Sequence, residues 1–114
     1  MKILFSQYFK KQLKKLSKKY PQIVEDFLNK IDSLKLDQET YIGRSIYKIR
    51  IASTDMNRGK SGGFRSYLYL YQNKDLLLPL CIYCKTETAS ITETELKFHF
   101  DKTMEELIND NTIF

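Results

Sequence analysis

The sequence predicts an α+β domain in which a small, mostly antiparallel sheet packs against an N-terminal helical hairpin and is followed by a C-terminal helix. Three observations carry this. Apolar residues recur at helical spacing from Phe9 to Leu34, with Pro21 breaking the pattern in the middle. The stretch FRSYLYLY, Phe64 to Tyr71, alternates strictly as a strand does. Thr92, with Glu95 three positions on, forms a capping box ahead of an apolar helical stripe. The 114 residues suit one domain, residues 1–114, with a real core.

The expected order is β-α-α-β-β-β-α. A short strand at Lys2 to Phe5 opens the chain. Phe9, Leu13, Leu16 and Tyr20 then form one helical stripe, and Lys10, Lys11, Lys14, Lys15, Lys18 and Lys19 fill the remaining faces. Pro21 opens a second helix with the stripe Ile23, Val24, Phe27, Leu28, Ile31 and Leu34. A polar connection that includes Gly43 leads to SIYKIRI, a strand with Tyr47, Ile49 and Ile51 on one face and Ile46, Lys48 and Arg50 on the other. In the next strand Phe64, Ser66, Leu68 and Leu70 face the core, opposite Arg65, Tyr67, Tyr69 and Tyr71. Asn73, Lys74 and Asp75 supply a hairpin turn into LLLPLCIYCK. Pro79 donates no ladder hydrogen bond and proline favours edges or bulges, so this strand is expected to start late or to be edge-facing near Pro79. Leu96, Phe100, Met104, Leu107 and Ile108 line the closing helix.

The net charge of +5 is unevenly distributed: 15 Lys/Arg stand against 6 Asp/Glu up to Arg65, and 4 against 8 beyond it. A basic region of that kind favours a polyanionic partner. No apolar stretch approaches the ~20 residues of a membrane span, and MKILFSQYFKK lacks the continuous apolar run of a signal peptide. The expectation is a cytoplasmic protein with no membrane partner. Cys81 and Cys84 have a spacing that invites a metal or redox reading. On a strand, however, residues three apart face opposite sides, and no second ligand pair follows, so no metal or other cofactor is expected.

Gly59, Lys60 and Ser61 share the last residues of a nucleotide-binding P-loop. The earlier glycine of that motif is replaced by Thr54, and a strand follows where the loop needs a helix N-terminus. Gly59, Gly62 and Gly63 are better read as a tight turn that sets Lys60 and Arg65 beside Lys48 and Arg50, with Lys85 joining them by parity with Cys81 and Tyr83.

With these residues in place, the chain resembles the RelE/ParE superfamily of type II toxin–antitoxin toxins. The likeness rests on the order of elements, KIR at Lys48 to Arg50, RGKSGGFR at Arg58 to Arg65 and IYCK at Ile82 to Lys85, and it is nearest to the RelE and HigB branch. The resemblance implies a RelE-like fold and a ribosome-dependent endoribonuclease that cuts translated mRNA and inhibits translation. Its implied partners are the ribosome, mRNA and a cognate antitoxin, with operator DNA bound only through that antitoxin. The implied reaction is attack of a ribose 2′-hydroxyl on the adjacent phosphodiester, which needs a base, a stabiliser of the phosphorane charge and a proton donor. Arg65 matches the phosphate-stabilising arginine of the GGFR strand, Lys48 and Arg50 match the strand cations, and Lys85 occupies the place of a basic residue after the last strand. Clustered cations lower a lysine's pKa, which lets a lysine act as base. Several such nucleases carry a catalytic tyrosine or histidine beyond the last strand, whereas KTETAS supplies neither.

Arg58, Lys60 and Tyr67 are the expected RNA contacts at this site, and Lys14 and Lys18 on the first helix are candidates for ribosomal RNA phosphates. Tyr69 and Tyr71 are expected to pack beneath a helix, and His99 to be a packing or surface residue. Two other activities fit the same fold: a ParE-like poison of DNA gyrase, and an inactive module that only binds the antitoxin.

Overall fold

Five strands form one mixed sheet in the order β1-β5-β4-β3-β2. They are β1 (Lys2–Ile3), β2 (Thr40–Gly43), β3 (Ile46–Ile51), β4 (Phe64–Tyr71) and β5 (Leu76–Cys84). The helices are α1 (Gln7–Ser17), α2 (Ile23–Asp32) and α3 (Glu93–Asn109). This computed structural model describes residues 1–56 and 62–112. Every strand pair is antiparallel except β1 with β5, whose parallel pairing needs the long crossover that α1 to β4 supplies.

The α1–α2 hairpin covers one face of the sheet. Phe9, Leu13, Tyr20, Ile23 and Phe27 meet Ile49, Ile51, Phe64, Leu68, Ile82 and Cys84 there, in the main core. Val24 and Leu28, although part of the predicted α2 stripe, are 42% and 47% exposed. They line an open groove between the two helices with Lys10 and Lys14, because α2 needs only the Ile23 and Phe27 edge of its stripe to reach the sheet.

The other face receives α3. Leu107 packs on Leu78, and Leu96 and Phe100 pack on Ile46, Tyr67, Leu80, Cys81 and Tyr83. Ile108, read as part of the α3 stripe, stays 43% exposed. Thr92 and Glu95 form the predicted capping box. Tyr69 lies edge-on to Phe100, with ring centroids 5.0 Å apart, so it packs beneath the helix as expected.

Helix α1 is tied to both layers. Ser6 Oγ accepts from Phe9 N, and the Glu106 carboxylate of α3 accepts from Gln7 N and Tyr8 N at 2.7 and 2.9 Å. These bonds satisfy first-turn donors that otherwise lack partners. Tyr8 also shares a hydrogen bond with His99 of α3, which makes His99 a packing residue.

Three expectations about strands need correction. The polar connection before Ile46 contains β2, a four-residue edge strand with Tyr41 and Ile42 exposed. The opening strand spans Lys2–Ile3 rather than reaching Phe5. Finally, β5 begins at Leu76, before Pro79, and is not an edge strand. It accommodates the proline through a bulge: Leu68 pairs with Pro79 and Tyr67 with Cys81, which leaves Leu80 as the extra residue. Past the short β1, the Gln12 side chain substitutes for a neighbouring strand. Its Nε2 donates to Leu80 O at 3.2 Å and its Oε1 accepts from Ile82 N at 3.1 Å. A primary amide carries the same donor and acceptor as a peptide unit, so it completes the ladder of β5 where backbone is missing.

Candidate functional site

The period of two in β3, β4 and β5 places their alternate residues on the α3 face, and the register aligns them in rows. Arg50, Arg65 and Tyr83 form one row, and Lys48, Tyr67 and Cys81 form the next. Lys85 follows β5 with the parity of Tyr83, and its backbone N–H bonds to Gly63 O at 3.0 Å. Lys48, Arg50, Arg65 and Lys85 therefore gather at the end of this face. Their repulsion registers at Lys48, whose pKa is lowered first by burial and then by Lys85, Arg65 and Arg50.

Like charges directly opposite each other on paired strands destabilise a sheet, yet Arg50 faces Arg65. Arg65 is buried, with 4% of its surface exposed, and its Nη1 donates to the Phe64 carbonyl at 3.0 Å. Burial, followed by Arg50, lowers its pKa as well. Among the described residues none of the four cations forms an ion pair. Lys85 Nζ bonds instead to the Ala89 carbonyl at 3.1 Å. Such an arrangement is costly for the folded chain and well suited to an incoming polyanion.

Gly63 sets the entry to β4. Its φ is +84°, and a Cβ there would lie 2.4 Å from the Ile51 carbonyl oxygen. Only glycine lets β4 begin so close to the end of β3, which brings Arg65 opposite Arg50.

Tyr67 is buried in the cation row, with Lys48 Nζ 5.8 Å from its ring centroid. Tyr83 is a residue that sequence reasoning left out of the site. Its hydroxyl is buried with no hydrogen-bond partner among the described residues. Burial, then the neighbouring Tyr67, pushes its pKa above the usual tyrosine range. The signal was its parity with Lys85; what raised its importance is the register that sets it opposite Arg65.

The expected RNA contacts Arg58 and Lys60, with the glycine turn at Gly59 and the P-loop-like Ser61, lie outside the described residues. Lys14 and Lys18 are exposed at α1 and its C-terminal cap, the helix that covers the opposite face, so they do not join the cluster. Cys81 and Cys84 are free and buried on opposite faces of the sheet. Burial pushes the Cys81 thiol up to about 12, which leaves it unreactive. Among the described residues no group of His, Cys, Asp or Glu is placed to hold a metal ion, and no helix is long and apolar enough to cross a membrane. No protein-family model matches the chain, and no curated protein gives a significant match.

Proposed function

We propose that this chain is a RelE-like toxin of the RelE/HigB kind, a ribosome-dependent endoribonuclease that cuts translated mRNA. The observation that carries the reading is the cluster of Lys48, Arg50, Arg65 and Lys85 at one end of a sheet face, without an ion pair among the described residues, at the positions where the family resemblance puts the cations of such a nuclease.

In this reading Arg65, held by Phe64 O and supported by its row neighbour Arg50, binds the scissile phosphate and stabilises the phosphorane. Lys48, whose pKa is lowered, takes the proton of the 2′-hydroxyl. Lys85, outside the row and with its Nζ on the Ala89 carbonyl, donates a proton to the departing 5′-oxygen. The mRNA and the ribosome supply the polyanion that offsets the cluster's repulsion, and Lys14 and Lys18 add phosphate contacts from α1. A cognate antitoxin is the inhibitory partner. The groove between α1 and α2, with Val24 and Leu28 exposed beside Lys10 and Lys14, suits an acidic amphipathic element of such a protein.

Primer extension on mRNA from a translating extract, and on naked RNA, tests the proposal. The expected result is new 5′ ends in translated message alone, lost with Arg65→Ala. Undamaged message in both, from folded protein, rules the nuclease out; DNA damage in induced cells then indicates gyrase poisoning, and harmless expression indicates an antitoxin-binding module.

A further inference from the structure

Next to the cation rows, a groove of about 590 Å³ opens between the first half of α3 and the β2–β3 hairpin. This is the size of a small-ligand site, which typically spans ~300–1,000 Å³. Ile42, Ile46, Tyr67, Tyr69, Leu96 and Phe100 line it. We infer that this groove receives a nucleobase adjacent to the phosphate held at Arg65 and Lys48, so that the protein grips single-stranded RNA by one phosphate and one base together.

The inference rests on the nuclease reading and extends it. Tyr67 belongs to both places: it lines the groove, and it stands beside Lys48 in the cation row. Arg65 and Tyr67 share a face of β4 two residues apart, about 7 Å along a strand. A phosphate on Arg65 therefore brings its own nucleotide to the groove mouth. Aromatic rings accept the flat face of any base; the half-buried Tyr69 and Phe100 supply them, while Tyr67 is buried beside Lys48. On the helix wall Asp101 is paired with Lys97, and Glu93 offers an acceptor for a base amino group rather than a contact for phosphate.

The far rim gives independent support. The β2–β3 hairpin turns on Arg44 and Ser45, whose φ values are +54° and +62°. A two-residue turn of this kind ordinarily uses Asn-Gly, because both positions are left-handed. Arg44 occupies a strained position that glycine fills without cost, and it forms no ion pair among the described residues. Arg44 lines the groove two residues before Ile46, and Lys48 follows Ile46 by two residues along β3. A base seated between them has a cation for the phosphate on either side.

The test uses a five-nucleotide RNA with 2′-O-methyl sugars, which cannot be cut, and the same oligonucleotide with its central base removed. Binding to the full chain is measured by fluorescence anisotropy at fixed low salt. The intact oligonucleotide is expected to bind about tenfold more tightly than the abasic one. Ile42→Trp fills the groove from an exposed bulge position and leaves the cores untouched. It is expected to bring the two affinities to within about twofold while the abasic affinity stays as it was. Equal affinities in the native chain overturn the base site and leave the phosphate site standing, as they would if the groove serves a protein partner instead. A preserved tenfold preference in folded Ile42→Trp also overturns it. Binding of neither oligonucleotide overturns the cationic site, and the base site with it.

Discussion

The two faces of the sheet are built from the same strands and meet opposite ends. On the α1–α2 face, Ile49, Ile51, Phe64 and Leu68 are essentially fully buried, and the packing is continuous. On the α3 face the helix covers Ile46, Tyr67, Tyr69, Tyr71 and much of β5, while the cations at the strand ends form no ion pair among the described residues. One face stores the stability that the other spends, and a single strand serves both, because successive side chains alternate.

Phe64 and Arg65 are adjacent in sequence and belong to opposite faces, which makes them the sharpest comparison. Phe64→Ala is expected to cost ~3–5 kcal/mol by denaturant unfolding. Arg65→Ala should shift stability by no more than about 1 kcal/mol, since it also removes a repulsion, and should lower cleavage about 10²–10³-fold. Comparable unfolding of both variants would erase the distinction between the faces.

A smaller effect probes the ladder that joins the faces. Gln12→Ala removes both bonds to the bulged part of β5 and should cost about 1–3 kcal/mol, accompanied by faster amide hydrogen exchange at Ile82. Unchanged protection at Ile82 would show that water replaces the amide.

The smallest effect is a titration. The ¹³Cε signal of Lys48 should show a midpoint below the ordinary lysine value of 10.5, and Lys85→Gln should raise that midpoint by removing the largest charge contribution. In the window between the lowered folded value and the ordinary one, the unfolded chain binds more protons than the folded chain. Stability from this group therefore rises with pH across that window. A midpoint insensitive to Lys85→Gln would separate the two lysines.

Much of this was readable from alternation and period. FRSYLYLY sorts its residues onto the faces the structure uses, and the capping box at Thr92 starts α3 where expected. The cations of β3 and β4 were readable as a group for the same reason. What escaped the sequence depends on neighbours distant in the chain. Strand β2 has four residues at an open edge with Tyr41 and Ile42 exposed, so no burial pattern marks it. Pro79 argued for a late or edge strand because the sequence does not show that Gln12 will complete the ladder beyond the bulge. Val24 and Leu28 look like core by spacing, yet spacing does not say how far round α2 the sheet reaches. Tyr83 enters the site only through its register with Arg65.

The bond from Glu106 to the first turn of α1 has a consequence for vectorial synthesis. Ser6 caps that turn locally, but the Gln7 and Tyr8 N–H groups must wait for an acceptor 99 and 98 positions away, and β1 must likewise wait for Leu76 and Leu77. A chain growing from its N-terminus thus carries a first strand without its partner until β5 is made, and a first helix without its Glu106 acceptor until α3 is nearly complete. The cation rows are thus assembled on a sheet whose opening elements lock only after β5 and most of α3 have been made.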